Sequence, residues 1–167
     1  MKTQFQIAQV NIGRIRAPLD DPQMAGFVAN LEGINGLADS RPGFVWRLKT
    51  DAGDATALRP YDDDRILVNL SVWANPEDLR EFVYRSAHAE VMHQRRSWFE
   101  RFDGMYYALW WVVVGHIPSV AEAKDRLEYL RTHGESAHAF SYAKLFPAPD
   151  SSLAGPVIGF ADPSPAA

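Results

Sequence analysis

The segment over residues 106–115 is apolar on both of its faces, and this pattern limits the possible folds more than any other feature of the chain. In a strand, one face would carry Tyr107, Leu109, Trp111 and Val113, and the other Tyr106, Ala108, Trp110, Val112 and Val114. A strand with this pattern is covered on both sides in the folded protein. The sequence therefore predicts a strand at 106–115 with neither face open to solvent.

The remaining patterns predict an α+β domain. Period-two alternation indicates strands at residues 5–12, 44–49 and 65–73, and a short fifth strand is expected within 140–146. Proline-led or capped helix starts follow Asp21, Asn75 and Ser119. After Asn75 we expect a short helix through Tyr84 and a longer one from Ser86 to Phe102, with a kink between them. The order β-α-β-β-α-β is that of the ferredoxin-like split βαβ fold, a four-stranded antiparallel sheet, here with an extra C-terminal helix.

Helices on one face of such a sheet would leave its other face open. Because the fourth strand is apolar on both sides, we expect a second copy of the chain to cover the open face, sheet against sheet, with Trp110 or Trp111 in the interface. A homodimer is therefore predicted. Residues 1–146 form the predicted domain, and residues 147–167, rich in Pro, Ala, Ser and Gly, form a predicted flexible tail.

Composition excludes several classes of function. The net charge is −4 and the basic residues form no stripe beyond Arg95 and Arg96, so no nucleic-acid partner is expected. The chain has no cysteine, which removes thiolate catalysis and cysteine metal sites. His88 and His93 are too far apart on a regular helix to share a metal, so no metal is predicted. The lack of a signal peptide or of a 20-residue apolar run predicts a cytoplasmic protein without a membrane partner.

Several stretches of the chain resemble a known superfamily. Residues 71–82 (SVWANPEDLREF), followed by Ser86, Ala87 and His88, are similar to the strand-to-helix signature of the dimeric α+β barrel superfamily. That superfamily includes antibiotic-biosynthesis monooxygenases and bacterial haem-degrading monooxygenases. Within it, the chain resembles an uncharacterised family over residues 4–146, through segments at 43–48, 95–100, 109–112, 118–130 and 139–140. The resemblance implies a dimeric α+β barrel and leaves the reaction open, because this fold hosts many chemistries.

The resemblance also implies roles for two residues. Asn11 matches the position of a pocket asparagine in the haem-degrading branch, and His88 matches the position of its haem-ligating histidine. The tryptophan that this branch carries on its middle helix has no counterpart here, since Phe82 or Tyr84 occupies that region. Haem is accordingly a possible cofactor, although the leading expectation is that the protein uses none.

Three residues are the predicted catalytic groups: His88, Asn11 and Arg95. Histidine titrates near working pH, so His88 could act as a general base or as a ligand, or could be a hydrogen-bonded core histidine. An inward-facing Arg95 would need an anion, on this chain or on a ligand. Asn11 lies on the first strand with Gln9, as Asn69 lies on the third with Ser71. These polar rows could orient an enolate or phenolate oxygen, or could bond across the strands.

The expected function is that of a small-molecule enzyme, monooxygenase-like or cyclase-like, acting on an apolar or aromatic metabolite between helices and sheet. The alternatives are a binder of haem or another flat hydrophobic ligand without catalysis, and a structural dimeric accessory protein. The predicted substrate-binding residues are Phe27, Trp46, Asn69, Trp73, Phe82, Met92, Phe99 and Trp111.

Overall fold

The computed structural model describes residues 4–50, 56, 60–85, 93–150 and 157–158. Its elements are β1 (Phe5–Arg14), a 3-10 turn (Pro22–Met24), α1 (Ala25–Asp39), β2 (Phe44–Arg47), β3 (Ile66–Trp73), α2 (Pro76–Arg85), α3 (Arg95–Trp98), β4 (Tyr107–Val113), α4 (Val120–His133), β5 (Lys144–Leu145) and β6 (Val157–Ile158). No helix among these residues is both long enough and apolar enough to cross a membrane.

Strands β1 to β4 form one antiparallel sheet in the order β2-β3-β1-β4. This order, with β1 and β3 in the centre, confirms the predicted ferredoxin-like split βαβ topology. Ile7, Gln9 and Asn11 of β1 lie opposite Trp73, Ser71 and Asn69 of β3. Because side chains alternate across a strand, these three pairs share one face of the sheet.

Helix α4 covers the other face. Trp110 on β4 and Leu127 on α4 are both fully buried, in a cluster that also contains Val10, Val68 and Val72. The indole Nε1 of Trp110 donates a hydrogen bond to Glu122 Oε1 at 3.0 Å. The cover that the sequence analysis assigned to a second copy is therefore supplied by α4 of the same chain. That argument for a sheet-to-sheet interface is wrong, because this face is already buried within one chain; the homodimer itself stays a prediction.

Ser119 caps α4 as predicted, but the reciprocal half of the capping box does not form, because the Glu122 carboxylate bonds Trp110 and His116 instead. The Ser119 hydroxyl accepts a hydrogen bond from the Glu122 backbone N–H at 3.0 Å, and the helix ends at Gly134, whose φ is 80°. Glu122 also lies 2.7 Å from His116 Nε2. These contacts hold the first turn of α4 against the indole of Trp110, which fixes the helix on the sheet.

Helix α1 lies on the opposite face of the sheet and packs loosely. The Asp21 carboxylate caps the turn that leads into it, accepting from the Gln23 N–H at 2.8 Å. Within α1 only Ala38 is buried, and the residues that look toward the sheet are half-buried: Phe27, Leu31, Ile34 and Leu37. A gap therefore separates α1 from the sheet.

The C-terminal region differs in detail from the prediction. The expected fifth strand is only the two residues of β5, with a separate bridge between Phe140 and Leu109. Strand β6 lies within the segment predicted as a tail, and it pairs antiparallel with β5. The boundary at residue 146 and the flexibility of the tail stay predictions.

Candidate functional site

A cavity of about 200 Å³ lies between α1, α2 and the sheet. The strands contribute its floor and the half-buried stripe of α1 contributes much of its cover. Aromatic rings dominate the described lining: Phe27, Phe44, Trp73, Phe82, Trp98, Phe99, Tyr106, Tyr107 and Tyr142. An apolar cavity with a few placed polar groups is the usual form of a small-molecule site.

Four polar side chains of the cavity, Gln9, Asn11, Asn69 and Ser71, form one hydrogen-bonded network across β1 and β3. Gln9 Nε2 donates to Asn69 Oδ1 and to Ser71 Oγ, each at 2.9 Å, and Asn11 Nδ2 donates to Gln9 Oε1 at 3.2 Å. Trp73 Nε1 donates to the same Ser71 oxygen at 3.0 Å. Gln9 is buried and bonds both of the more accessible asparagines, and the buried Ser71 in turn bonds Gln9.

Two aromatic contacts fix Trp73. Its ring stacks on Phe82 of α2, with ring centroids 5.1 Å apart. It also packs edge-to-face with Phe44, with ring centroids 5.5 Å apart. Since Asn75 also caps α2, by accepting from the Asp78 N–H at 2.8 Å, the strand-to-helix connection is rigid on both sides of Trp73. The indole is thus held as a fixed wall of the cavity.

Arg95 lies at the far end of β1. Its Nη2 donates to the Ile12 carbonyl at 3.3 Å, and its guanidinium carbon lies 4.8 Å from the centre of the Phe99 ring and 5.0 Å from that of Tyr106. Both distances suit a cation–π interaction. Gly13 permits this packing, because a Cβ at that position would come within 2.5 Å of the Phe99 ring.

The charged residues in the described lining are both arginines, Arg47 and Arg95. Arg47 is paired with Asp39, with Nε 2.7 Å from Oδ1 and Nη2 3.2 Å from Oδ2. No carboxylate or imidazole belongs to the part of the lining that the structure describes. The described lining therefore carries basic side chains and no acidic one, and Asp39 balances the charge of Arg47.

The cavity brings together seven of the residues that the sequence analysis selected: Asn11, Phe27, Asn69, Trp73, Phe82, Arg95 and Phe99. His88 and Met92 lie outside the described residues. The roles of all nine stay predictions, since contact with a cavity does not establish a function.

Two tryptophans were expected in the lining and are not there. Trp46 packs on the opposite face of the sheet, because a bulge between Phe44 and Trp46 breaks the alternation of β2 and turns Arg47 toward the cavity instead. Trp111 lies beyond the cavity wall, where its Nε1 donates to the Phe146 carbonyl at 2.8 Å.

Other lining residues were missed by sequence reasoning. A bulge has no signature in the sequence of β2, so Arg47 could not be placed. The helix expected over residues 86–102 lies partly outside the described residues. Its described part contains the short helix α3, which covers only Arg95–Trp98, and Phe99 is extended and pairs with Ile15. Trp98 itself is buried and packs against Gly26 at the start of α1.

Fold and cavity together define an α+β protein of the ferredoxin-like type with a small-molecule cavity between helices and sheet. The chain belongs to the family described as a domain of unknown function (DUF3291), whose model matches residues 6–155. This membership confirms the expected resemblance to an uncharacterised family. No curated protein matches the chain.

Two solved structures show distant similarity. A cofactor-independent oxygenase, SnoaB from Streptomyces nogalater, is 15% identical, with a TM-score of 0.43 over 69% of this chain and 96% of that chain. A protein of unknown function from Nitrosomonas europaea is 12% identical, with a TM-score of 0.43 over 71% of this chain and 97% of that chain. These similarities are too distant to indicate an activity.

Proposed function

We propose that this protein is an enzyme that acts on a small, ring-containing metabolite held in the cavity between α1, α2 and the sheet. The observation that carries the proposal is the network of Asn11, Gln9, Asn69 and Ser71, which sets several amides and a hydroxyl in the middle of an aromatic lining. Buried polar groups cost free energy unless they are bonded, and the side chains of this network meet that requirement by bonding one another.

The size of the cavity supports a ligand of one or two rings. A cavity of about 150 Å³ holds one benzene ring, and the cavity here is about 200 Å³. Drug-sized ligands occupy roughly 300–1,000 Å³. The described cavity is therefore too small to fit a haem, and no step of the proposed reaction passes through one.

The chemistry that this lining supports is the stabilisation of an enolate or phenolate. A base removes a proton from a carbon next to a carbonyl group, or from a phenol, and the electron pair comes to rest on oxygen. The amide donor of Asn69 would stabilise that oxygen by a hydrogen bond, and the guanidinium of Arg95, farther along β1, would add a favourable electrostatic field. Both a monooxygenase-like and a cyclase-like reaction can begin from such an anion.

The base is proposed to be His88. No described residue of the lining is a carboxylate or an imidazole, so the proton acceptor must come from the rest of the chain or from water. Imidazole titrates close to neutral pH, where it is effective as a general base.

The proposal can be tested with a metabolite extract. Wild-type protein should enrich one or more ring-containing metabolites detected by mass spectrometry, and incubation should convert them to products that differ in mass or, for an isomeric product, in chromatographic retention. Asn69→Ala should enrich less of them, whereas Gln23→Ala, which changes an exposed amide outside the cavity, should match wild type. Enrichment without conversion would support a binding protein, and no enrichment at all would contradict the proposal.

A further inference from the structure

Gln9 has a position in the network that determines what the two asparagines can offer a ligand. Its carboxamide lies between Asn11 on one side and Asn69 with Ser71 on the other. A carboxamide has one end that donates and one end that accepts. The two asparagines therefore meet opposite ends of the same group.

In the observed arrangement Asn69 uses its carbonyl oxygen and Asn11 uses its amide nitrogen to bond Gln9. Asn69 is left with its NH₂ group as a donor, and Asn11 is left with its carbonyl oxygen as an acceptor, since no other described residue bonds to either. If the Gln9 amide turned over, both asparagines would turn with it and exchange roles. In either orientation one asparagine offers a donor and the other an acceptor.

The two free ends are adjacent. Asn11 and Asn69 are direct partners in the register of β1 and β3, and the Cβ atoms of such partners are about 4.5–5.5 Å apart. Asn69 is exposed although it lies on a central strand, and Asn11 is half-buried. Their shared support, Gln9, is 6% exposed. The fixed part of the network is thus buried, and its donor and acceptor open into the cavity.

From this geometry we infer that the cavity binds a ring carrying a hydrogen-bond donor next to an acceptor, as in a cyclic amide or a hydroxy-ketone. The inference rests on the proposed function and narrows it to a ligand class. If the ligand instead carried two neighbouring acceptors, one of them would face the free carbonyl oxygen of an asparagine, and neither oxygen could donate a hydrogen bond. Such unpaired polar groups are costly when a ligand excludes water from them.

Quinolin-2-one is a suitable probe, because its ring N–H and carbonyl are adjacent and its two fused rings match the cavity volume. We expect it to bind at least about tenfold more tightly than N-methylquinolin-2-one, which lacks the donor. A quinolin-2-one methylated on its carbocyclic ring, which keeps the N–H, controls for the added volume and should bind like the parent. Affinities can be measured by NMR titration of the wild-type protein.

In Asn69→Leu the affinities for quinolin-2-one and N-methylquinolin-2-one should become about equal, whereas Gln23→Leu should keep the wild-type ratio of the two affinities. Equal binding of the N–H and N-methyl probes by wild type would overturn the inference, and so would the absence of binding by all three probes. Neither result would refute the proposed function, which fails only if a metabolite extract yields no ring-containing ligand.

Discussion

Gly13→Ala is the substitution whose effect the structure specifies most sharply. The new Cβ would lie 2.5 Å from Phe99 Cδ1, 2.7 Å from Phe99 Cε1 and 3.3 Å from Arg95 Nη2. The Phe99 ring cannot retreat freely, because the edge of Phe27 meets it at a centroid distance of 5.2 Å. Overpacking of this kind costs about 1–3 kcal/mol. Replacing glycine restricts the unfolded chain and returns about 0.4–1 kcal/mol. With an overpacking cost of about 2 kcal/mol, the middle of its range, we expect a net loss of about 1–2 kcal/mol.

For a chain of this length that loss lowers the thermal midpoint by roughly 2–8 °C. Gly33→Ala is the matched control, since nothing lies within 4 Å of its added Cβ on α1. There the better helix propensity of alanine should raise stability by up to about 1 kcal/mol. In a Phe99→Leu background the cost of Gly13→Ala should shrink. Urea unfolding in which Gly13→Ala equals or exceeds wild-type stability would refute the packing described for this end of the cavity.

Three further predictions address the rest of the molecule. Leu127→Ala should cost about 2–4 kcal/mol in urea unfolding, because Leu127 is fully buried where α4 covers the sheet, and a loss below about 1 kcal/mol would contradict that cover. Burial, and after it the charge and hydrogen bond of Glu128, raises the pKa of Tyr61. As pH rises, Tyr61 therefore loses its proton in the unfolded chain before it does so in the folded protein. The free energy of unfolding should accordingly fall as pH rises above about 10. That fall should be smaller in Tyr61→Phe, and an identical pH dependence would exclude this cause. His88→Ala should fold like wild type and lose turnover, with the exposed His93→Ala as its control; full turnover in His88→Ala would remove His88 from the mechanism.

Topology was accessible from sequence because it depends on periodicity and on caps. The two-sided apolarity of residues 107–112 correctly required cover on both faces, although Val113 and Val114 at the end of the segment are exposed. Ser119 correctly began a helix as its N-cap. Sequence alone could not say that this helix supplies the cover. An apolar face indicates only that water is excluded from it. A second copy of the chain and a helix of the same chain would exclude water equally well.

The site was accessible only in part. Asn11 and Asn69 stand out as amides on otherwise apolar strands, and the register of β1 with β3 places them together. Trp46 was misplaced because one bulge reverses the side-chain direction of the rest of β2. Arg47 entered the lining for the same reason. Errors of this kind follow from local backbone geometry, which leaves the hydrophobic pattern of a short strand unchanged.

The claim that the cavity over the Gln9 network is the ligand site can be tested most directly by NMR of the side-chain amide groups. Protein labelled with ¹⁵N should be titrated with a metabolite captured from an extract. We predict that the side-chain amide resonances of Gln9, Asn11 and Asn69 shift together with a single affinity, while the exposed amide of Gln23 does not move. Saturation of the protein by the metabolite with the three network amides unchanged would place the ligand elsewhere and contradict the account.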